Sequence, residues 1–257
     1  MSVELKWLEN GTITSPKGYL AGATYSGIRT YTEDKLDLGI VSSEVPCTVA
    51  GTFTTNKIKS PSVVLDQRRV ASGHAQAIII NSGIANACVG EQGMTDALEM
   101  AALAAKYLEL EPELVLPSST GLVGVELPMA LIRNGVSKIQ LTPGGGHALA
   151  RAILTTDTHT KEIAVSFDAG GGTQAIIGGI AKGAGMIHPD MATMLSFLAT
   201  GELDGRVEGI NPLREQYIET YGQDPGATYY TAGDYTPYIP LTYWSFRFMM
   251  GLGFAGM

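Results

Sequence analysis

The sequence predicts an α+β fold in which strands and helices occupy separate layers. Short apolar runs typical of strands and segments with helical spacing follow one another irregularly, without a recurring βαβ unit and without an internal repeat. Segregated elements of this kind fit sheets packed against helices rather than a regularly wound parallel sheet. With 257 residues, 45% of them hydrophobic, the chain can bury a substantial core in one or two domains.

The first third of the chain predicts a loop and three strands. Residues 10–23 are rich in Gly, Thr and Pro and predict a loop entering the fold. Residues 36–42 and 47–53 predict strands separated by a turn at Pro46. Residues 75–80 form a short apolar run that indicates a fully buried strand.

Three helices are predicted in the middle of the chain. Thr95 is a suitable N-cap for the first, whose apolar positions repeat at helical spacing; these are Leu98, Ala101, Ala102, Ala105 and Leu108. Pro128 and Gly135 mark the beginning and end of the second helix. Residues 147–154 predict the third.

The stretch from Lys182 to Leu195 is unusually rich in turn-forming residues. It follows a predicted strand pair, residues 162–168 and 173–180, and leads into another apolar run at 194–198. Two glycines in G-x-G spacing permit positive φ, and Pro189 removes a backbone donor. A plain hairpin does not need so many special residues, which indicates a functional loop.

Thr193, just before the last of these strands, suggests a particular chemistry. If the chain is cut before Thr193, the freed α-amine lies within reach of the threonine hydroxyl. An α-amine has an unperturbed pKa of ~7.7–8.0, and a threonine paired with its own amine is an established nucleophile. The alternative is that Thr193 only begins a strand, where β-branched residues are favoured.

Other candidate groups each have a structural alternative. Residues 118–124 predict a turn in which Gly121 leaves backbone N–H groups free for an oxyanion, although many such turns are only turns. Residues 155–158 form a hydroxyl-rich helix end. Lys182 follows a buried strand, so its ammonium is expected to reach water or meet a carboxylate.

Several further features are interpreted as structural. His188 titrates near neutrality but is assigned mainly to orienting the loop, and the role of Asp190 stays open. No spacing of His, Cys, Asp and Glu indicates a metal site. Gly144–Gly146 precede a helix, yet without a strand or a Walker lysine they predict a flexible turn rather than a phosphate site.

Charge and cysteine content restrict the class of protein. A net charge of −8 and the absence of a Lys/Arg cluster argue against a nucleic-acid partner. Without a secretory segment, Cys47 and Cys88 are expected to be reduced and structural, and the main part of the chain is expected in the cytoplasm.

The segment KGAGMIHPDMATML (182–195) resembles the self-processing site of the ornithine acetyltransferase family, the bifunctional glutamate N-acetyltransferases of arginine biosynthesis. AGTFTTN (50–56) and NSGIANAC (81–88) resemble family signatures too, and the resemblance extends from about residue 11 to residue 200. It implies two sheets sandwiched between helices, as in enzymes with N-terminal nucleophiles.

The resemblance also implies a reaction and a site. The chain would cut itself between Ala192 and Thr193, and Thr193 would carry an acetyl group from N-acetylornithine, or from acetyl-CoA in some relatives, to glutamate. No cofactor is implied, and the α and β chains would associate as a heterotetramer. The implied site residues are the nucleophile Thr193, the oxyanion-stabilising Thr120 and Gly121, and the substrate contacts Lys182 and Thr156, with Thr155 as the alternative to Thr156. A self-processing aminopeptidase of related fold is the rival hypothesis.

The resemblance stops after residue 200, which predicts a boundary between 1–201 and 202–257. Residues 209–257 resemble subunit I of the cytochrome bd ubiquinol oxidases, where a loop enters a membrane helix. The final apolar run, residues 248–257, is far shorter than the ~20 residues that span a bilayer. The expectation is a truncated acetyltransferase, weak or inactive, with an unrelated tail; a membrane respiratory component is the third hypothesis, and a membrane partner is expected only if the tail is real.

Overall fold

The computed structural model describes residues 4–29, 35–170, 173–183 and 195–199. Within those ranges the chain forms two four-stranded sheets and four α-helices. The strands are β1 (Lys6–Trp7), β2 (Tyr19–Thr24), β3 (Leu38–Thr48), β4 (His74–Ile84), β5 (Val115–Leu122), β6 (Lys161–Asp168), β7 (Gln174–Lys182) and β8 (Leu195–Ala199). The helices are α1 (Pro61–Val70), α2 (Gln92–Leu108), α3 (Met129–Val136) and α4 (Gly146–Ala152).

The first sheet has the order β2-β3-β4-β5, and two predictions about its beginning are wrong. Residues 19–23, predicted as loop, belong to β2, which pairs with β3. The predicted turn at Pro46 lies inside β3, which continues past a register shift between Ser42 and Cys47. Such an irregularity leaves a residue unpaired and therefore tolerates a proline, which has no N–H to donate. Residues 49–53 are not a strand.

β4 and β5 run in parallel, with α2 as the long element between them. The predicted strand at 75–80 is confirmed, and it extends to Ile84. The turn predicted at residues 118–124 is wrong for its first five residues, because residues 118–122 complete β5. Their small side chains suit close pairing with the end of β4, a tertiary contact that local turn propensity does not show.

The predicted helices lie at the expected places in the chain, but their bounds and buried faces differ in detail. α2 begins at Gln92, before Thr95, and its buried face includes Ala97, Met100 and Ala104, whereas Leu98 is 45% exposed. Small residues let the helix approach the sheet closely, and this outweighs the size of Leu98. α3 and α4 lie within two residues of the predicted bounds. α1 was not predicted, although Ser60 caps it through the Val63 N–H.

The two faces of the first sheet build two hydrophobic clusters. α2 and α3 pack on one face, where Ile40, Ile79 and Ile132 are fully buried. On the other face Leu149 of α4 and Ile180 of β7 join residues of β2–β4 in a second cluster. The second sheet, with the order β1-β6-β7-β8, therefore shares a core with the first. This layering confirms the predicted α+β class.

β6 and β7 form the predicted antiparallel pair, and β8 pairs antiparallel with β7. Lys182, the last residue of β7, lies opposite Leu195, the first residue of β8. The cleavage position Ala192–Thr193, with His188 and Asp190, lies outside the described residues, as do the boundary at residue 201 and the whole of 202–257. Among the helices in the described ranges, none is long and apolar enough to cross a membrane.

Candidate active site

The carboxyl ends of β4 and β5 place Thr120 and Gly121 beside Ser82 and Gly83. Gly121 has φ of 136°, and a Cβ added there would lie 2.2 Å from the Gly83 carbonyl carbon. No other residue fits without displacing backbone, so this glycine is required by close approach as well as by its dihedral angle. Thr120 is half-buried and Gly121 is exposed, which leaves this strand end accessible.

A loop before β3 lies directly against this strand end. A Cβ on Gly83 would lie 2.8 Å from the Arg29 Cα atom. The loop is held by Asp37, a fully buried acid whose Oδ2 accepts hydrogen bonds from the Ile28 N–H (2.7 Å) and the Arg29 N–H (3.1 Å). The Ser26 N–H donates to Oδ1 at 2.7 Å, so three backbone donors satisfy the buried acid and fix the position of Arg29.

Arg29 connects the two groups of candidate residues. Its backbone packs on Gly83, next to Gly121, and its guanidinium donates to the carbonyl oxygen of Thr155. Sequence reasoning missed Arg29 and Asp37. The available signal was an acidic residue directly before an apolar strand, a position where a buried charge needs backbone donors.

The second group is centred on Asp157, whose side chain is 4% exposed. Its Oδ1 accepts hydrogen bonds from Lys161 Nζ at 2.5 Å and from the Gly183 N–H at 2.8 Å. Its Oδ2 lies 3.9 Å from Lys182 Nζ. Of the two alternatives left open for Lys182, water or a carboxylate, the structure has the carboxylate of Asp157, and a role in binding the substrate stays a prediction. The residue is 8% exposed, and its ammonium also donates to the Gly183 carbonyl at 2.9 Å.

The charges in this cluster shift one another's ionisation. Burial opposes the charged form of Asp157, but hydrogen bonds from Lys161 and Gly183 and the neighbouring ammonium groups outweigh it, so the pKa of Asp157 is lowered. The pKa of Lys182 is also lowered, mainly because burial removes hydration from its ammonium. Asp157 counteracts this shift, whereas the positive charges of Lys161 and Arg29 reinforce it.

The described site brings some candidates together and leaves others apart. Thr156 is exposed next to Asp157, while Thr155 is half-buried and its carbonyl oxygen accepts a hydrogen bond from Arg29.

Asn81 Oδ1 and Ser82 Oγ, near the Thr120 strand end, are buried with no hydrogen-bond partner in the described structure. Buried polar atoms without a partner are uncommon in folded proteins, and each calls for an explanation such as a bound water or a catalytic role.

Metal and phosphate chemistry find no support in the residues described. No group of three or more His, Cys, Asp and Glu side chains within those ranges could hold a metal ion. Gly145 and Gly146, predicted as part of a flexible turn, instead permit close packing, because added Cβ atoms would lie 1.7 Å from Ala21 O and 2.4 Å from Thr12 Oγ1. Both cysteines are free, as predicted, although Cys88 is exposed.

Curated proteins of similar sequence align with about three quarters of this chain. The arginine biosynthesis bifunctional protein ArgJ of Dehalococcoides mccartyi is 48% identical over 200 residues, which are 78% of this chain and 49% of that protein. The ArgJ protein of Symbiobacterium thermophilum is 47% identical over 198 residues, 76% of this chain and 49% of its own length. The chain thus spans about half the length of the curated relatives it matches.

Two solved structures share the fold. ArgJ from Bacillus halodurans superimposes with a TM-score of 0.69 at 38% identity, over 76% of this chain and all of that one. Ornithine acetyltransferase from Mycobacterium tuberculosis, solved in complex with ornithine, gives a TM-score of 0.66 at 34% identity with the same coverage.

The family model described as the ArgJ family matches residues 20–208. The suggested resemblance of residues 209–257 to a cytochrome bd oxidase subunit gains no support from these matches. Since the family match covers well over half of its residues, the chain belongs to the ArgJ family.

Proposed function

We propose that this chain transfers an acetyl group from N-acetylornithine to glutamate, through an acetyl-threonine formed on Thr193 after cleavage of the Ala192–Thr193 bond. Family membership supports this proposal, as do the names of its relatives, which are bifunctional proteins of arginine biosynthesis. One solved neighbour is an ornithine acetyltransferase complexed with ornithine. The amino-acid substrates of this reaction carry carboxylates, which require cationic partners in the protein.

The observation that carries the proposal is the position of Lys182. This lysine is buried at the end of β7 and pairs with Leu195, which follows Thr193 by two residues in the sequence. Arg29 and Lys161 contribute further positive charge in a chain whose net charge is −8. A concentration of cations against that overall charge favours an anionic substrate beside the strand that follows the nucleophile.

The proposed chemistry proceeds in two transfers. The Thr193 Oγ attacks the acetyl carbonyl carbon of N-acetylornithine, and the α-amine of Thr193 takes the hydroxyl proton. Collapse of the tetrahedral intermediate breaks the C–N bond, and ornithine leaves with that proton on its nitrogen. The neutral amine of glutamate then attacks the ester, the C–O bond to Thr193 breaks, and the proton lost by the amine returns to Oγ.

Thr120 and Gly121 stabilise the negative oxygen of each tetrahedral intermediate in this proposal. This role is supported by the accessible strand end, where Gly121 has a backbone conformation that only glycine adopts without strain. Removal of one oxyanion donor typically costs a factor of ~10²–10³ in kcat. Thr156 and Lys182 contact the substrate, and Thr156 is exposed beside the Asp157 cluster.

The assembly and location are part of the same proposal. The α and β chains released by cleavage stay associated as a heterotetramer, which native mass spectrometry of the purified protein would detect. The two free cysteines fit a cytoplasmic enzyme, because reducing compartments keep thiols unpaired.

The test is mass spectrometry of the purified chain before and after incubation with N-acetylornithine. A fragment beginning at Thr193 should appear, gain one acetyl group on that threonine, and lose it when glutamate is added, with N-acetylglutamate as product. Thr193→Ala should show neither cleavage nor acetylation. Thr173→Ala, at an exposed threonine of the β6–β7 connection, is the matched control and should behave as wild type.

Two results would contradict the proposal. A chain that stays uncut, or a cut chain whose Thr193 never gains an acetyl group, would exclude the acetyl-threonine route. Release of free acetate without any N-acetylglutamate would instead favour the hydrolytic aminopeptidase-like alternative, because water would then be the acceptor.

A further inference from the structure

The environment of Asp157 combines one buried acid with an excess of positive charge. Lys161 approaches Oδ1 at 2.5 Å, Lys182 approaches Oδ2 at 3.9 Å, and Arg29 binds the nearby Thr155 carbonyl. The Asp157 carboxylate therefore faces two ammonium groups, and the charge of Arg29 acts on one of them, Lys182. Oδ2 has no hydrogen-bond partner among the described residues. A purely structural ion pair does not require this imbalance, which leaves positive charge available to a further anion.

Asp157 also holds the backbone at the start of the segment that contains the cleavage position. The Gly183 N–H donates to Oδ1 at 2.8 Å, and residue 183 is the last one described before 184–194. A Cβ on Gly183 would lie 2.4 Å from Oδ1. A side chain at position 183 would therefore have to displace the Asp157 carboxylate. A charge-assisted bond such as the one from the Gly183 N–H is about twice as strong as a neutral one.

The same carboxylate also lies close to Lys182, through its other oxygen, Oδ2. Lys182 precedes Gly183 and donates to the Gly183 carbonyl, while the Gly183 N–H donates to Asp157, so the ammonium, the Gly183 backbone and Asp157 form one connected group. Movement of Asp157 would therefore displace a proposed substrate contact and the beginning of the self-processing segment together.

We propose that Asp157 is a positioning residue for the acetyl transfer, which anchors the start of the self-processing segment through Gly183 and holds the Lys182 ammonium beside the substrate carboxylate. This inference rests on the proposed function and deepens it. It assigns Asp157 no contact with the reacting atoms. Its effects pass through two neighbours, Gly183 and Lys182, and these can be separated experimentally.

Two substitutions separate the two effects. Asp157→Asn keeps an oxygen that accepts from the Gly183 N–H but removes the negative charge beside Lys182. Asp157→Ala removes both. Asp168→Asn is the matched control, because Asp168 Oδ1 accepts from the Gly170 N–H at 2.8 Å, at the exposed opposite end of the β6–β7 hairpin.

The measurements are the rate of appearance of the Thr193 fragment, amide exchange at Gly183, the pKa of Lys182 by NMR titration, and the pH dependence of KM for glutamate. Asp157→Ala should slow cleavage by about 10- to 100-fold, because small misplacements have effects of that size, and should speed Gly183 exchange by about tenfold or more. Asp157→Asn should keep most of the Gly183 protection. It should lower the Lys182 pKa, and with it the pH at which KM begins to rise, by about one unit.

The inference is wrong if Asp157→Ala matches Asp168→Asn in cleavage rate, Gly183 exchange and Lys182 pKa. It is also wrong if Asp157→Asn slows cleavage while both local measurements stay at wild-type values, since the effect would then not pass through these neighbours. A wild-type chain that does not cut itself would overturn the proposed function instead. The Gly183 exchange and Lys182 titration would still decide whether Asp157 positions them.

Discussion

Gly121 and Gly83 meet backbone to backbone where β5 and β4 run in parallel, with only 2.2 Å between a Cβ on Gly121 and the Gly83 carbonyl carbon. We expect Gly121→Ala to lower the free energy of unfolding by about 3 kcal/mol, since positive-φ strain and overpacking each cost roughly 1–3 kcal/mol. Urea unfolding measures this directly.

Gly124→Ala is the control for that substitution. Gly124 also has positive φ, 81°, but no atom lies within 4 Å of an added Cβ. Gly124→Ala therefore introduces the dihedral strain without the steric clash, and it should lower the free energy of unfolding by only about 1 kcal/mol. Equal destabilisation by both variants would show that the contact with Gly83 contributes nothing.

Thr120 allows a test of the oxyanion proposal. Thr120→Val keeps the shape of the half-buried side chain and removes its hydroxyl, and it should lower kcat by about 10²–10³ with little change in KM. Thr120→Ser should retain most of the activity. If Thr120→Val transfers acetyl at the wild-type rate in steady-state kinetics, the hydroxyl is not an oxyanion donor.

The sequence predicted those elements whose signals are local. The apolar run before Asn81, the helix marked by Pro128 and the hairpin of β6 and β7 all appear as expected, because burial and turn chemistry are encoded within a few residues. The end of β5 was mistaken for a turn because small residues at 118–121 favour turns when considered alone. Only their pairing with β4 makes them a strand.

The candidate site was also predictable only where the signal is local in the sequence. The cost of an unpaired charge at the end of a buried strand predicted that Lys182 would reach water or meet a carboxylate, and the carboxylate is the one found. That the carboxylate is Asp157 could not be derived, because the two residues lie on different elements whose packing brings them together. Arg29 was missed for the same reason: its contacts with Gly83 and Thr155 are both distant in sequence.

The lowered pKa of Asp157 predicts a loss of stability in acid. A carboxyl whose pKa is lower in the folded chain than in the unfolded chain stabilises the fold above the unfolded pKa, about 4. That contribution disappears as the pH falls through the folded value. Wild type should therefore exceed Asp157→Asn in unfolding free energy at neutral pH, and the difference should shrink steadily below about pH 4.

Urea titrations of both proteins across this range provide the measurement. Two parallel stability profiles would mean that the bonds from Lys161 and Gly183 do not favour the charged form. Asp157→Asn should also unfold with the same dependence on urea concentration as wild type, because the substitution does not change the surface exposed on unfolding.

Asp66 in α1 predicts the opposite pH dependence. Burial raises its pKa to about 8, and Arg69 only partly opposes that shift. Its Oδ1 is enclosed with no hydrogen-bond partner among the described residues, which favours the neutral acid. Between an unfolded pKa of about 4 and the folded value, the native chain holds a proton that the unfolded chain has lost. Stability is therefore lost as the pH rises through this window.

Asp66→Asn tests this sign, because the amide is neutral at every pH and has nearly the shape of the protonated acid. Near pH 4 the two proteins should unfold at similar urea concentrations, and towards about pH 8 the variant should become progressively more stable than wild type. Asp168→Asn, at an exposed carboxylate, should show no such divergence. If wild type and Asp66→Asn keep a constant difference from acid to alkaline pH, Asp66 is ionised in the folded chain, and the enclosure of its Oδ1 has no energetic consequence.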